Sequence, residues 1–81
     1  METIVLNPYQ LGQILRGFRK QRGLTQTQLG EKIGLPQKDI SKLETNPQGV
    51  RLEKLYLFLS ALELELVLRP RDSTTNPHVD W

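Results

Sequence analysis

Between Gly23 and Glu44 the chain writes two short amphipathic segments on either side of a glycine, and no other stretch constrains the fold as tightly. Thr25 stands as N-cap of the first segment with Gln28 at its third helical position, the spacing of a capping box, while Leu24 and Leu29 are spaced for a hydrophobic staple. Gly34 supplies the left-handed residue that closes a helix. Leu35 and Pro36 follow, with the proline where a helix can begin. The second segment then turns Ile40 and Leu43 inward and leaves Gln37, Lys38, Ser41 and Lys42 on the opposite side. A helix presenting polar tips in this way is suited to a groove of DNA, and those four side chains are its candidate base and phosphate readers.

The flanking segments supply the rest of a small helical body. Asn7 and Pro8 read as N-cap and first residue of an earlier helix, with Gln10 completing a capping pattern and Leu6 spaced to staple onto Leu11. Leu11, Ile14, Leu15 and Phe18 form its buried stripe, Gln13, Arg16 and Lys20 face outward, and Gly23 ends it. After Glu44 comes Thr-Asn-Pro-Gln-Gly, a turn in which Pro47 bars further helix. From Leu52 the positions Leu55, Tyr56, Leu59 and Leu62 predict a fourth helix over the core. Val50 or Arg51 at its N-cap predicts a frayed first turn.

The apolar period then changes. Leu62, Leu64, Leu66 and Leu68 alternate with Glu63, Glu65, Val67 and Arg69 until Pro70, which predicts a strand. The same leucines at 59, 62 and 66 would also allow the helix to continue to Leu68. A lone strand cannot satisfy its own backbone groups, and only the brief Thr3–Leu6 run offers a second one within the chain. Antiparallel pairing with the same strand of a second copy, burying Leu62, Leu64, Leu66 and Leu68 between subunits, is the economical solution. The expected fold class is therefore all-α, a helix-turn-helix bundle with a C-terminal β-strand pairing across a homodimer. Residues 1–69 would form the DNA-binding and dimerisation domain and 70–81 a disordered tail.

Composition narrows the function. With 81 residues, 37% of them hydrophobic, and no cysteine, the chain makes one domain near the lower limit of independent stability, with neither disulfides nor thiolate metal sites. No metal or cofactor is expected. The N-terminus is acidic and too short for a signal peptide, and no apolar run approaches the roughly 20 residues of a membrane helix, so a soluble cytoplasmic protein without membrane contact is expected. The net charge is only +2, but Arg16, Arg19, Lys20, Arg22, Lys32, Lys38, Lys42, Arg51 and Lys54 all precede Phe58. That cationic body favours a polyanion. A single His78 in the tail and scattered carboxylates offer no positioned acid and base, so an enzyme is not expected. The tail ends on Trp81, the chain's one tryptophan. It reads either as a contact anchor for a partner or as a side chain that, with Val79, folds back or dangles.

Thr25-Gln26, the Leu29-Gly30 pair, Gly34, Ile40-Ser41 and Leu43-Glu44 together resemble the Cro and lambda-repressor-like (XRE) helix-turn-helix family over roughly residues 8 to 62. The leucine-rich segment after the last helix, the short length and the terminal Trp resemble its HipB-like antitoxin branch, whose members partner HipA-like kinase toxins. The resemblance implies a lambda-repressor-like bundle, a homodimer, and a double-stranded operator built as an inverted repeat. It places the helix beginning near Gln37 in the major groove and the helix beginning at Thr25 across the backbone. Gln37 would then read adenine or guanine edges, Lys38, Ser41 and Lys42 would reach bases or phosphates, and Gln26 would hold a phosphate. Arg51 is the best further phosphate contact. Arg16, Lys20, Arg22 and Lys54 read as solvated charges. Arg19 and Glu44 match a partly buried structural ion pair. Pro36, Lys38 and Asp39 depart from the small or polar residues common in the family, and Asp39 reads as a favourable charge on the helix dipole. The resemblance makes Trp81 the toxin anchor. A stand-alone phage-type or metabolic repressor without a toxin is the alternative, and a pure interaction module is disfavoured by the polar and basic face of the second segment.

Overall fold

Four helices appear in the computed structural model, which describes residues 2–71: α1 (Pro8–Gln21), α2 (Gln26–Ile33), α3 (Gln37–Thr45) and α4 (Leu52–Ala61). Trp81 and all but the first two residues of the tail lie outside the described residues. Helices α1 and α2 begin on side-chain caps. Asn7 Oδ1 accepts from the Gln10 N–H at 2.8 Å, capping α1. The Gln10 carboxamide oxygen accepts from the Leu6 N–H, also at 2.8 Å, one residue earlier than a capping box would have it. Leu6 itself stays more than half exposed, at 55%. At Thr25 the capping box is complete, with the Gln28 N–H donating to Thr25 Oγ1 at 3.0 Å and the Thr25 N–H to Gln28 Oε1 at 2.8 Å.

Pro36 sits at the N-cap of α3 rather than inside it and offers no side-chain acceptor. Arg51 likewise caps α4 without a side-chain bond, leaving that helix end to tertiary contacts. Between α2 and α3, Gly34 at φ +75° makes the left-handed turn, and the Leu35 N–H donates to the Gly30 carbonyl at 2.9 Å. A side chain on Gly30 would collide with the Leu35 carbonyl, so the turn needs a bare backbone there.

Leu15 of α1, Leu29 of α2, Ile40 and Leu43 of α3, and Phe58, Leu59 and Leu62 at the α4 end close one core. Each of these side chains stabilises by about 1.5–3 kcal/mol through burial. The inward face of α4 differs from the sequence expectation. Leu55, Phe58, Leu59 and Leu62 turn in, whereas Leu52 and Tyr56 are 67% and 52% exposed. The run Leu-Glu-Lys-Leu-Tyr-Leu-Phe-Leu carries apolar residues on more than one side, so two stripes fit the helical period and only packing against the core of α1, α2 and α3 selects one.

The end of α4 mirrors that of α1 with one difference. In α1 the Leu24 N–H donates to the Arg19 carbonyl at 3.3 Å and the Gly23 N–H to the Lys20 carbonyl at 2.9 Å, a Schellman closure with Gly23 at φ +70°. In α4 the Leu64 N–H donates to the Leu59 carbonyl at 2.8 Å and the Glu63 N–H to the Ser60 carbonyl at 3.1 Å. Here the left-handed residue is Glu63, at φ +57°, where a Cβ is strained. Helix α4 therefore stops at Ala61 and does not run on to Leu68. Residues 64–70 form no strand ladder among the described residues.

Candidate nucleic-acid interface

The geometry of the α2–α3 unit rests on one buried pair. Arg19, 6% exposed on α1, and Glu44, 3% exposed on α3, meet through Nε–Oε2 at 2.6 Å and Nη2–Oε1 at 3.0 Å. The remaining Arg19 donor, Nη1, reaches the Leu24 carbonyl at 2.7 Å just before α2. One guanidinium thus fixes three elements, and among the described residues no buried side-chain nitrogen or oxygen is left without a partner. Gly12 lets the helices come this close, because a side chain there would meet the Glu44 backbone carbonyl. Its signal in the sequence is a glycine inside a helix, on the same stripe as Leu15 and Arg19, where alanine would be about 1 kcal/mol better for the helix itself.

From Glu44 the network runs outward. Gln26 Nε2 donates to Glu44 Oε1 at 3.0 Å, and Gln26 Oε1 accepts from Gln37 Nε2. The first residues of α2 and α3 are therefore joined side chain to side chain, and both are anchored to the buried pair. Gln37 is exposed, so its carboxamide is presented to solvent in a fixed place rather than waving on a free stem. Lys38 and Lys42 are exposed beside it and make no ion pair among the described residues. Ser41 is half-buried, with its carbonyl accepting from Thr45 Oγ1 at 2.8 Å.

Other charges sit differently. Arg51, at the N-cap of α4, is exposed and 3.6 Å from Glu53, a weak surface pair that leaves its donors accessible. Arg22 lies 3.2 Å from Glu63 in another exposed pair. Lys54, read from the sequence as a solvated charge, instead donates from Nζ to Asp39 Oδ2 at 3.2 Å. No spacing signal could have found this contact, since the two residues are on different helices. Of the leucines assigned to dimerisation, Leu62 is wholly buried in the chain's own core and Leu64 partly so, while Leu66 is 50% and Leu68 89% exposed.

The face formed by Gln26, Gln37, Lys38 and Lys42 has two hydrogen-bonded carboxamides and two cations that are unpaired among the described residues, and the carboxylate of Asp39 beside them is paired with Lys54. Carboxamides can make paired hydrogen bonds to a base edge or a single one to phosphate, and ammonium groups supply attraction to a polyanion. Comparison with known proteins identifies the family. The helix-turn-helix family HTH_3 matches residues 15–68. Antitoxin HipB of Escherichia coli strain K12 is 33% identical over 82 residues, covering 95% of this chain and 93% of that protein. Among solved structures, a HipB variant in complex with an O2 20mer aligns with a TM-score of 0.81 at 34% identity, covering 86% of this chain and 97% of that one. HipB in a HipA-HipB-O2-O3 complex aligns at 0.80 and 35% identity, with 85% and 97% covered.

Proposed function

The chain belongs to the helix-turn-helix family HTH_3 and, within it, to the HipB antitoxins, and from that premise we propose that it is a homodimeric, sequence-specific DNA-binding antitoxin that represses its own toxin-antitoxin operon and binds and neutralises a HipA-like kinase toxin. The observation that carries the DNA reading is the side-chain link between Gln26 and Gln37, tied through Glu44 to a buried ion pair. It presents a prepositioned Gln37 at the exposed first turn of α3, flanked by unpaired Lys38 and Lys42, and prepositioned donors lose little freedom on binding. Lys38, Ser41, Lys42 and Arg51 serve bases or phosphates and Gln26 a phosphate. Arg19 contributes scaffold rather than attraction, because Glu44 cancels its charge.

In a two-fold dimer the paired α3 helices read half-sites about 34 Å apart, or a multiple of that, in an inverted repeat. Leu66 and Leu68 supply the exposed apolar side of the pairing segments, and Leu64 stays packed against the core of its own chain. No helix among the described residues is long and apolar enough to cross a membrane, and a cytoplasmic protein, associated with the nucleoid while bound to DNA, fits the reading. HipA stands in complex with HipB and DNA in one of the similar structures, which supports a toxin partner here, with Trp81 as its anchor.

The decisive experiment is selection of bound sequences from a randomised duplex pool with wild-type protein and with Gln37→Ala. Preference should relax at one position per half-site, by about 1–3 kcal/mol of discrimination. An unchanged profile would mean that α3 does not read the bases. The toxin reading is tested by removing residues 71–81, which should weaken copurification of a kinase-like polypeptide while operator affinity stays within about twofold. Failure of any such polypeptide to copurify with the full chain would favour a stand-alone repressor.

A further inference from the structure

Asp39 is an odd residue to find in the first turn of a helix that approaches phosphates. It lies between the exposed Lys38 and the buried Ile40, two residues after Gln37. Within a Debye length of about 8 Å at physiological salt, an unpaired carboxylate there would repel the duplex that Lys38 and Lys42 attract. The structure gives it a partner: Lys54 Nζ, on α4, donates to Asp39 Oδ2 at 3.2 Å, and the two side chains are 36% and 19% exposed. Asp39 is thus turned toward α4 and held there, while its neighbours Gln37 and Lys38 face solvent.

We propose that Lys54 is a positioning residue for operator binding, which cancels the charge of Asp39 and holds its carboxylate off the groove-facing side of α3. The inference rests on the reading that α3 enters a DNA groove. Two consequences distinguish it from a plain surface ion pair. Loss of Lys54 sets free a negative group beside the reading face, so DNA binding suffers even though Lys54 itself touches no phosphate. The loss is also conditional on the carboxylate, so removing both partners restores binding. The same tether keeps Asp39 from accepting a hydrogen bond from cytosine N4, the base-edge donor a carboxylate would seek.

A double-mutant cycle tests this, using Lys54→Met, Asp39→Asn and the two combined, on the duplex that the wild-type protein selects from a randomised pool. Operator affinity is measured at several salt concentrations alongside thermal unfolding. Lys54→Met should weaken operator binding about threefold to tenfold, and by less as salt rises. Asp39→Asn should stay within about twofold of wild type or bind tighter, and the combined variant should return to within about twofold of wild type. Equal losses from Lys54→Met with Asp39 and with Asn at that position would make Lys54 a direct phosphate contact and overturn the proposal. So would a lowered unfolding temperature with unchanged operator affinity, the mark of a purely structural tether. Wild-type protein that bound no duplex at all would overturn the DNA reading and this inference with it, whereas normal wild-type binding with independent effects would remove only the inference.

Discussion

The α1–α3 region and the C-terminal segment after α4 solve the same problem, an amphipathic run with backbone groups to satisfy, in opposite ways. In the first, Arg19, Glu44, Gln26 and Gln37 form one hydrogen-bonded line from core to surface, and Gly12 and Gly30 let backbone approach backbone. Everything that line needs is inside one chain. In the second, Leu66 and Leu68 are exposed and residues 64–70 have no ladder partner among the described residues. The contrast teaches that the α2–α3 face is organised by side chains of its own chain, while the segment after α4 leaves apolar side chains exposed. Their helix ends carry the same lesson. Gly23 takes its left-handed turn without strain, and Glu63 takes the same turn with a Cβ.

The comparison breaks most visibly at Glu44. Replacing it with alanine leaves Arg19 a buried cation without a counter-charge and cuts Gln26 loose, so chemical denaturation should report a loss of about 3–5 kcal/mol. A loss below about 1 kcal/mol would mean that the region is not organised around the pair. The opposite outcome is expected in the segment after α4. Leu66→Lys combined with Leu68→Lys changes side chains that are 50% and 89% exposed, so the stability of the dilute single chain should change by no more than about 1 kcal/mol. Sedimentation should nevertheless show the proposed dimer shifted to monomer, and operator affinity should fall about tenfold or more as the second half-site contact is lost. A dimer that survives both lysines would move the interface elsewhere. The finest test is Glu63→Gly. Relief of the left-handed strain outweighs the added freedom of the unfolded chain and the exposed Arg22 pair, so thermal unfolding should show a gain of about 0.5–1 kcal/mol. A loss would show that the Arg22–Glu63 contact counts for more than the backbone.

The sequence displayed the elements of α2 and α3 well because their signals are local. A capping box needs only Thr25 and Gln28 three residues apart, and a left-handed helix end needs only Gly34. It was less informative for α4, where a run apolar on more than one side suggested Tyr56 as buried and passed over Phe58. At the candidate interface, Gln26 and Gln37 could be named one by one. Their direct link, and the Lys54 partner of Asp39, could not be read, since residues eleven and fifteen positions apart on separate helices leave no periodic trace.

By itself, then, the order of residues determined where each helix starts and which residues face out on α3, and left open whether the leucine pattern after Ala61 continued the helix or broke from it. Tertiary structure alone decided which stripe of α4 turns inward, that α4 stops at Ala61, that Gln26 links Gln37 to the Arg19–Glu44 pair, and that Asp39 is held by a lysine from another helix. The reason is range: caps and periodicity act within a turn or two of the chain, whereas packing and ion pairing are settled by whichever groups the folded backbone brings within a few ångströms, and no local pattern encodes that meeting.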